Sequence, residues 1–258
     1  MAWVGLSAIL LCTARADLRS LLYPAEPDVM ANTDILEAGA PVPAPGKPVY
    51  YLAVSMGYRD FGTPMGGEKI PEARGVLAMV TKILDSQGYK VASEEHLPDL
   101  VILYSWGTFY RNPNPGMQRR SERAMLEFLG GHKVGLYTDA RSNAFPELNP
   151  GLTPLHPDTS TMAGFLPHGI YVITFWASDY GMATQGRSRI YWKTNIAAST
   201  RGFYLPEVLP TMVAVAAPLI GRETARPIRI DVGKHYRPTV ELGPLKVIEE
   251  DVKTDGRK

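Results

Sequence analysis

The stretch that decides the fold is residues 71–108, which read PEARGVLAMVTKILDSQGYKVASEEHLPDLVILYSWGT. Pro71 suits the first turn of a helix, and Gly88 suits the left-handed position that closes one. The apolar residues around and between these two positions recur at helical spacing and form one stripe: Ile70, Ala73, Leu77, Val80, Ile83 and Leu84. We therefore predict an amphipathic helix that packs on a hydrophobic core.

The chain after this helix reads as sheet. Residues 89–92 predict a short strand, and residues 100–104 (LVILY) predict a second strand that does not alternate polar with apolar side chains. A strand of that kind is typical of the centre of a sheet with layers on both sides. This helix-and-strand unit supplies packing surface and no reactive group.

The rest of the chain supplies further elements. We predict a first core strand at 49–56, a helix at 118–129 closed by Gly130-Gly131, and a strand at 133–138. Residues 169–178 and 187–197 have the pattern of an antiparallel hairpin. A helix at 207–220, with Pro210 in its first turn, and a strand at 228–232 follow. Together these elements predict an α+β two-layer sandwich, with a mixed, mostly antiparallel sheet and helices packed on one face.

The N-terminus has the pattern of a signal peptide. Residues 2–12 are apolar or small, and Ala14-Arg15-Ala16 is the small-x-small sequence that signal peptidase cleaves. We expect removal of residues 1–16, which places the mature protein in the periplasm or in association with the outer membrane. The apolar segment is too short to span a membrane, which needs about 20 residues.

Cys12 is the only cysteine, and it lies inside the segment that we expect to be removed. The mature chain then has no thiol, which excludes a disulfide framework and a thiolate nucleophile. The alternative is a lipoprotein that keeps Cys12 as a lipidated N-terminus. Leu11 is large for the residue before such a cysteine, and the sequence leaves this question open.

The remaining chain divides by composition into a lead, a domain and a tail. Residues 17–48 contain six prolines and predict an extended lead over the surface. Residues 49–235 predict one α/β sandwich domain with a long loop at 139–168, and residues 236–258 a charged tail. Loss of Arg15 with the leader takes the net charge from +1 to zero, so we predict no nucleic-acid partner.

Strong catalytic and cofactor motifs are missing from the sequence. It contains no Gly-x-Ser-x-Gly, His-Glu-x-x-His, Walker or Gly-x-Gly-x-x-Gly pattern, and we predict no cofactor. Residues 62–69 (GTPMGGEK) resemble a phosphate-binding loop only superficially, because the spacing of glycine and lysine is wrong. A flexible loop is the favoured interpretation.

The candidate metal or acid-base residues are His156, Asp158 and His168 in the long loop, with Asp139 and Asp179 beside it. Imidazole and carboxylate groups bind zinc or share a proton when they converge. Because their spacing matches no known ligand pattern, we interpret them as ordinary polar residues of an exposed loop. A metal site remains the alternative.

The candidate binding residues are Trp106, Tyr110 and Arg111, which with Phe109 form an aromatic and cationic group at a strand end; Tyr191-Trp192 near Arg189 form a similar group. Alternation along a strand sends about half of such rings into the core, which favours packing over binding. A second basic cluster comprises Arg119, Arg120 and Arg123. Glu122 and Glu127 interrupt it, so we interpret it as a solvated helix face.

Three short sequences carry a resemblance to a known family: Gln87-Gly88-Tyr89, Pro98-Asp99-Leu100-Val101 and Tyr191-Trp192. In the order of its elements, the chain resembles an uncharacterised family of Gram-negative envelope proteins, many of them lipoproteins, over about 49–110 and 169–220. The resemblance implies a two-layer α/β sandwich, similar to envelope domains that bind other proteins, and it implies no catalytic residues. The chain departs from the family in its proline-rich lead, its long loop and its lipidation site.

Together these observations favour an exported cell-envelope protein that acts as a non-catalytic binding or structural module. Its expected partner is an envelope protein, a glycan or a lipid. The alternative is a metal-dependent or acid-base hydrolase that uses the loop at 139–168. The sequence leaves open the ligand, the oligomeric state and the biological process.

Overall fold

The computed structural model describes residues 27–64, 66–135 and 157–235. The strands in this part of the chain are β1 (Val29–Ile35), β2 (Val49–Asp60), β3 (Tyr89–Val91), β4 (Leu100–Phe109), β5 (Ile170–Asp179), β6 (Ile190–Ser199) and β7 (Ile228–Ile230). They form one sheet in the order β3-β2-β4-β5-β6-β1-β7. β2 is parallel to β3 and β4, and the other neighbours are antiparallel. The predicted α+β class with a mixed, mostly antiparallel sheet is confirmed.

The helices of the described residues are α1 (Ala73–Ser86), α2 (Pro115–Phe128), α3 (Pro157–Ala163), α4 (Tyr180–Thr184), α5 (Leu205–Ala216) and α6 (Val232–His235). Short 3-10 turns follow α2 and α5 at Gly131–Val134 and Ala217–Leu219. α2 begins three residues before the predicted start at 118, because Pro115 fits its first turn and the side chain of Asn114 accepts a hydrogen bond from the Gly116 amide.

One face of the sheet, which we call the main face, is covered by α1 and α5. Side chains alternate along each strand, so Tyr171, Ile173 and Phe175 of β5 all reach the main-face cluster. The helices contribute Val76, Val80 and Leu84 from α1 and six buried residues from α5. Removing these apolar side chains from water is the principal stabilising contribution of the fold.

The contact stripe of α1 differs from the prediction. Leu77 and Ile70 are 41% and 58% exposed, whereas Val76 is buried. Both Val76 and Leu77 have helical spacing relative to Val80 and Leu84, so the pattern alone allows either to face the sheet. The sheet contacts the side that carries Val76.

The opposite face, the second face, carries a smaller cluster beneath α2 and α3, to which Met30, Phe109, Val172 and Ala197 contribute from the sheet. Two buried asparagines hold the C-terminus of α2 there: the side-chain amides of Asn32 and Asn195 donate to the carbonyl oxygen of Phe128 at 2.9 and 3.1 Å. The prediction placed helices on one face, and the structure adds these on the other. They cover one end of it.

The remainder of the second face is open among the described residues. Leu52 of β2 is 45% exposed, and Val101 and Leu103 of β4 are half-buried. The strand predicted at 100–104 is therefore central, but its first half is fully covered on the main face alone. A continuous apolar run does not distinguish burial on two faces from burial on one with an apolar open side.

The proline-rich lead predicted at 17–48 contains a strand of the sheet. β1 lies between β6 and β7 and pairs with both, so the sheet includes residues before 49. The physical reason is that Pro27 and Pro41 lie outside this segment, and every residue of Val29–Ile35 keeps the N–H that a ladder needs.

Two smaller predictions are corrected. The strand predicted at 133–138 begins as the 3-10 turn Gly131–Val134, because Gly130 and Gly135 on either side adopt positive φ angles of 94° and 74° and close a tight turn. Pro210 lies inside α5 rather than in its first turn, since that helix begins at Leu205 and has Pro206 near its start.

Several predictions concern residues outside the described ranges: the signal peptide at 1–16, the tail at 236–258 and most of the loop at 139–168. None of the helices described above combines the length and the apolar character that crossing a membrane requires.

Candidate functional site

A pocket of about 250 Å³ lies beside the second-face cluster. It is formed by the turn that follows β2, the end of β4 and one side of α2. Its apolar lining consists of Phe61, Phe109, Met117 and Ala124, and its polar lining consists of Thr63, Asn112, Arg120 and Ser121. The pocket therefore has an apolar part and a polar part.

Two phenylalanines make a rigid wall. The rings of Phe61 and Phe109 stack with centroids 6.4 Å apart, and Phe61 also contacts Phe128 of α2 at 5.9 Å. The Phe61 amide donates to the carbonyl oxygen of Thr108 at 2.8 Å, which continues the sheet for one more residue. The hydrogen bond fixes the backbone of Phe61 and the neighbouring rings fix its side chain, so this wall is in place before a ligand binds.

The turn at 62–63 lies directly on the end of β4. A Cβ atom at Gly62 would come within 2.1 Å of the carbonyl oxygen of Tyr110, a distance that real Cβ atoms do not adopt. The next amide, of Thr63, donates to that same oxygen at 3.1 Å. Glycine at position 62 thus allows the close approach that places Thr63 at the pocket.

The hydroxyl oxygen of Thr63 is buried and has no hydrogen-bond partner among the described residues. A buried hydroxyl without a partner costs about 1–3 kcal/mol. A ligand group that bonded to it would recover part of that cost.

Some of the other polar groups in the lining already form hydrogen bonds within the protein, and others do not. The Ser121 hydroxyl accepts from the Asn112 amide at 3.0 Å and donates to the Gln118 carbonyl oxygen at 2.8 Å. The side-chain oxygen of Asn112 accepts from the Asn114 amide at 2.9 Å. Within the described part of the chain, Arg120 and the NH₂ group of Asn112 have no acceptor. The unused nitrogen groups are therefore donors, and the Thr63 hydroxyl can donate or accept.

The three predicted binding residues take different positions. Trp106 is 2% exposed and stacks on Tyr104 in the main-face cluster, so it cannot meet a ligand, which corrects its place among the binding candidates. Alternation along β4 is the reason. Tyr110 and Arg111 flank the pocket at the end of β4, and neither lines it.

Tyr110 and Arg111 each have a carboxylate partner. The Tyr110 hydroxyl donates to Glu68 at 3.0 Å, and burial together with this carboxylate raises the pKa of Tyr110 to about 12. Arg111 pairs with Glu122 at 3.0 Å. Glu68 belongs to the loop at 62–69, which we interpreted from the sequence as flexible. Its hydrogen bond with Tyr110 holds that loop against the end of the sheet.

The predicted metal or acid-base residues are not brought together in the described part of the chain. His168 is exposed, and its backbone carbonyl accepts from the Thr200 hydroxyl. His156 and the side chain of Asp158 lie outside the description, as does Asp139. Asp179 caps α4 through the Met182 amide at 2.8 Å and accepts from the Tyr191 hydroxyl at 2.7 Å. No group of three metal-binding side chains occurs among the residues described.

The pocket residues that sequence reasoning missed are Phe61, Thr63 and Arg120. The first two lie in a glycine-containing turn without periodicity, and the third lies in a basic cluster that reads as solvated. Only the docking of the turn on β4 brings them together. The one available signal was the adjacency of aromatic and glycine residues at 61–62 after a strand.

Comparisons with known proteins give no family. No family model matches this chain, and no curated protein does. A PelC dodecamer from Paraburkholderia phytofirmans is similar in structure with a TM-score of 0.32 and 12% identity, over 74% of this chain and 97% of that one. A PDZ domain protein from Parabacteroides distasonis has a TM-score of 0.37 and 15% identity, over 85% of this chain and 42% of that one. These similarities are too low to support an argument about function.

Proposed function

We propose that this protein is an exported, non-catalytic binding module of the bacterial cell envelope, and that the pocket beside α2 is its binding site. The observation that carries the proposal is the combination of a preformed aromatic wall with a buried, partnerless hydroxyl at Thr63. Pockets that bind small molecules combine apolar walls with a few placed polar groups in this way.

The chemistry of the lining favours binding over catalysis. Its described residues include no Asp, Glu, His, Lys, Cys or Tyr, so the lining has no general acid or base. The Ser121 hydroxyl, the one hydroxyl on α2 that lines the pocket, is engaged at both its donor and acceptor positions. A molecule in this pocket is held without a group that activates it.

Export is supported by the sequence of residues 1–16 and by the resemblance to envelope proteins. The single cysteine lies in that leader, which is consistent with a mature chain that enters an oxidising compartment without a thiol. The expected partner is a small envelope molecule, or one protruding group of an envelope protein, glycan or lipid. A pocket of about 250 Å³ admits a group of that size.

The test compares three forms of the full chain expressed with its own leader: wild type, Ala124→Trp and Arg119→Trp. Ala124 lines the pocket, and an indole there fills it, whereas Arg119 lies on α2 outside the lining. Native mass spectrometry of protein purified from the envelope fraction should detect the same bound mass in wild type and Arg119→Trp, and none in Ala124→Trp. N-terminal sequencing should find Asp17 first.

Two results would contradict the proposal. Protein that retains residues 1–16 and stays in the cytosol would exclude export. Equal occupancy in all three forms would exclude this pocket as the binding site, and so would an empty wild type that also binds none of the added probes described below.

A further inference from the structure

We infer that the pocket takes a compact organic anion: a carboxylate joined to one ring or to a short branched chain. This inference rests on the proposed function, since it names the class of ligand for the same pocket. It follows from which polar groups are already used, how charge is arranged around α2, and how much apolar space remains.

Two of the three polar groups left for a ligand can only donate, and the third, a hydroxyl, can donate or accept. Arg120 presents guanidinium N–H groups, Asn112 presents its NH₂, and the Thr63 hydroxyl has no partner within the described residues. The acceptors of Asn112 and Ser121 are already occupied. The polar end of a matching ligand must therefore accept several hydrogen bonds, and a carboxylate does so with charge-assisted strength.

The backbone at the start of α2 does not compete for this role. The Gly116 amide donates to the Asn114 side chain at 3.0 Å, and the amides of Met117 and Gln118 both donate to the Asn114 carbonyl oxygen at 2.9 Å. With these amides satisfied, the helix N-terminus offers no free donor. Recognition of an anion falls to side chains, with Arg120 as the principal one.

Glu122, two residues after Arg120 on α2, is engaged elsewhere. Glu122 accepts from Arg111 at 3.0 Å and from Gln118 at 2.9 Å, so its charge is balanced by a residue outside the pocket. The local field around the pocket therefore favours an anion.

The apolar part limits the size of the ligand. Phe61, Phe109, Met117 and Ala124 form the walls, and the volume of about 250 Å³ falls below the ~300–1,000 Å³ that is usual for drug-sized ligands. One aromatic ring or a short branched chain fits this space. A long acyl chain does not.

The test is a titration of the full mature protein, with its Met and Ala methyl groups labelled for NMR, by three probes: phenylacetate, phenylacetamide and inorganic phosphate. Phenylacetate should shift the methyl signals of Met117 and Ala124 saturably. Phenylacetamide keeps the ring and loses the charge, and phosphate keeps the charge and loses the ring. Each should bind about tenfold more weakly or worse, because a charge-assisted bond or the apolar contact is lost.

Variants assign the contacts. Arg120→Gln should weaken phenylacetate about tenfold and bring it level with phenylacetamide, whereas Arg119→Gln, one residue away and outside the lining, should leave both affinities unchanged. Thr63→Val keeps the shape of the side chain and should weaken phenylacetate several-fold. Unchanged methyl spectra away from the pocket confirm that each variant is folded.

The outcomes separate the ligand class from the binding function. Equal affinity for phenylacetate and phenylacetamide in the wild type overturns the carboxylate, and equal affinity for phosphate overturns the apolar contact. If no probe binds while a copurified molecule is lost in Ala124→Trp, the ligand class is wrong and the binding module stands. If no probe and no copurified molecule binds, both are wrong.

Discussion

The two faces of the sheet are built differently. The main face is covered by α1 and α5 and buries large side chains such as Tyr51, Tyr104 and Trp192. The second face has a smaller cluster at one end, and at the other end it presents half-exposed side chains of β2 and β4. The pocket lies beside the smaller cluster.

The way the covering helices are held also differs. On the main face, α5 buries six apolar side chains and α1 buries three, whereas α2 on the second face buries only Met125 and Leu126. Hydrogen bonds from Asn32 and Asn195, and the ion pair between Lys133 and Asp34, also hold α2 and the turn that follows it. The difference teaches that the main face contributes most of the apolar burial, while polar contacts add to a smaller apolar contact in fixing α2.

The largest loss of stability is expected from a substitution in the core of the main face. Leu84→Ala on α1 removes a fully buried side chain and should lower the free energy of unfolding by about 3 kcal/mol, from lost burial and the cavity that remains. Leu77→Ala on the same helix removes an exposed side chain and should cost less than about 1 kcal/mol. Urea denaturation measures both. Equal losses would contradict the position of α1 on the sheet.

A smaller loss of stability is expected when the ion pair between Lys133 and Asp34 is broken. Its charged atoms are 2.7 Å apart. Burial alone would raise the pKa of Asp34, but hydrogen bonds from Lys133 and His132 outweigh it and hold the pKa below its ordinary value of 3.8. Lys133→Met should therefore cost about 1 kcal/mol at pH 7.

That cost depends on pH in a direction that the lowered pKa fixes. The contribution of Asp34 is present above pH 3.8 and is lost as the pH falls below that value through the folded pKa, because the protonated carboxyl no longer attracts Lys133. Denaturation of wild type and Lys133→Met should converge in that range. Lys90→Met, which breaks the exposed pair with Asp85, is the control and should show almost no difference at any pH. A constant difference from pH 7 to pH 2 would exclude the pair as its cause.

The smallest loss of stability is expected from a substitution on the open half of the second face. Leu52→Ala should change the free energy of unfolding by less than about 0.5 kcal/mol, because nearly half of that side chain already contacts water. Leu100→Ala on the neighbouring strand, buried on the main face, is the matched control and should cost several-fold more. A loss above about 1.5 kcal/mol for Leu52→Ala would show that this half of the face is covered.

Much of the fold follows from local patterns, and the exceptions have physical causes. The helix predicted between Pro71 and Gly88 is found at Ala73–Ser86, with Pro71 just before it, and the hairpin of β5 and β6 is confirmed, because periodicity and turn residues agree with the sheet. β1 is missed because nearby prolines dominate the composition, although the strand itself contains none. The choice between Val76 and Leu77 depends on how a helix rotates against a sheet, which the helical period does not determine.

The candidate site is less predictable than the fold. The sequence directs attention to Trp106, Tyr110 and Arg111, and the pocket lies next to these residues without using them. Its unused donors are visible only when the partners of Asn112 and Ser121 are known. A hydrogen bond that is missing, as at Thr63, is a property of the folded chain and has no counterpart in residue spacing.

The position of β1 has a consequence for biogenesis. Thr33 of this strand bonds to Thr194 and Thr224, residues 161 and 191 positions away, so the sheet cannot close until nearly the whole polypeptide has left the ribosome. Such long-range pairing makes folding slow, since the entropy of closing a large loop precedes any gain from contact. The export that we propose would suit a polypeptide that stays open throughout its synthesis, because secretion channels that thread unfolded chains require an open one.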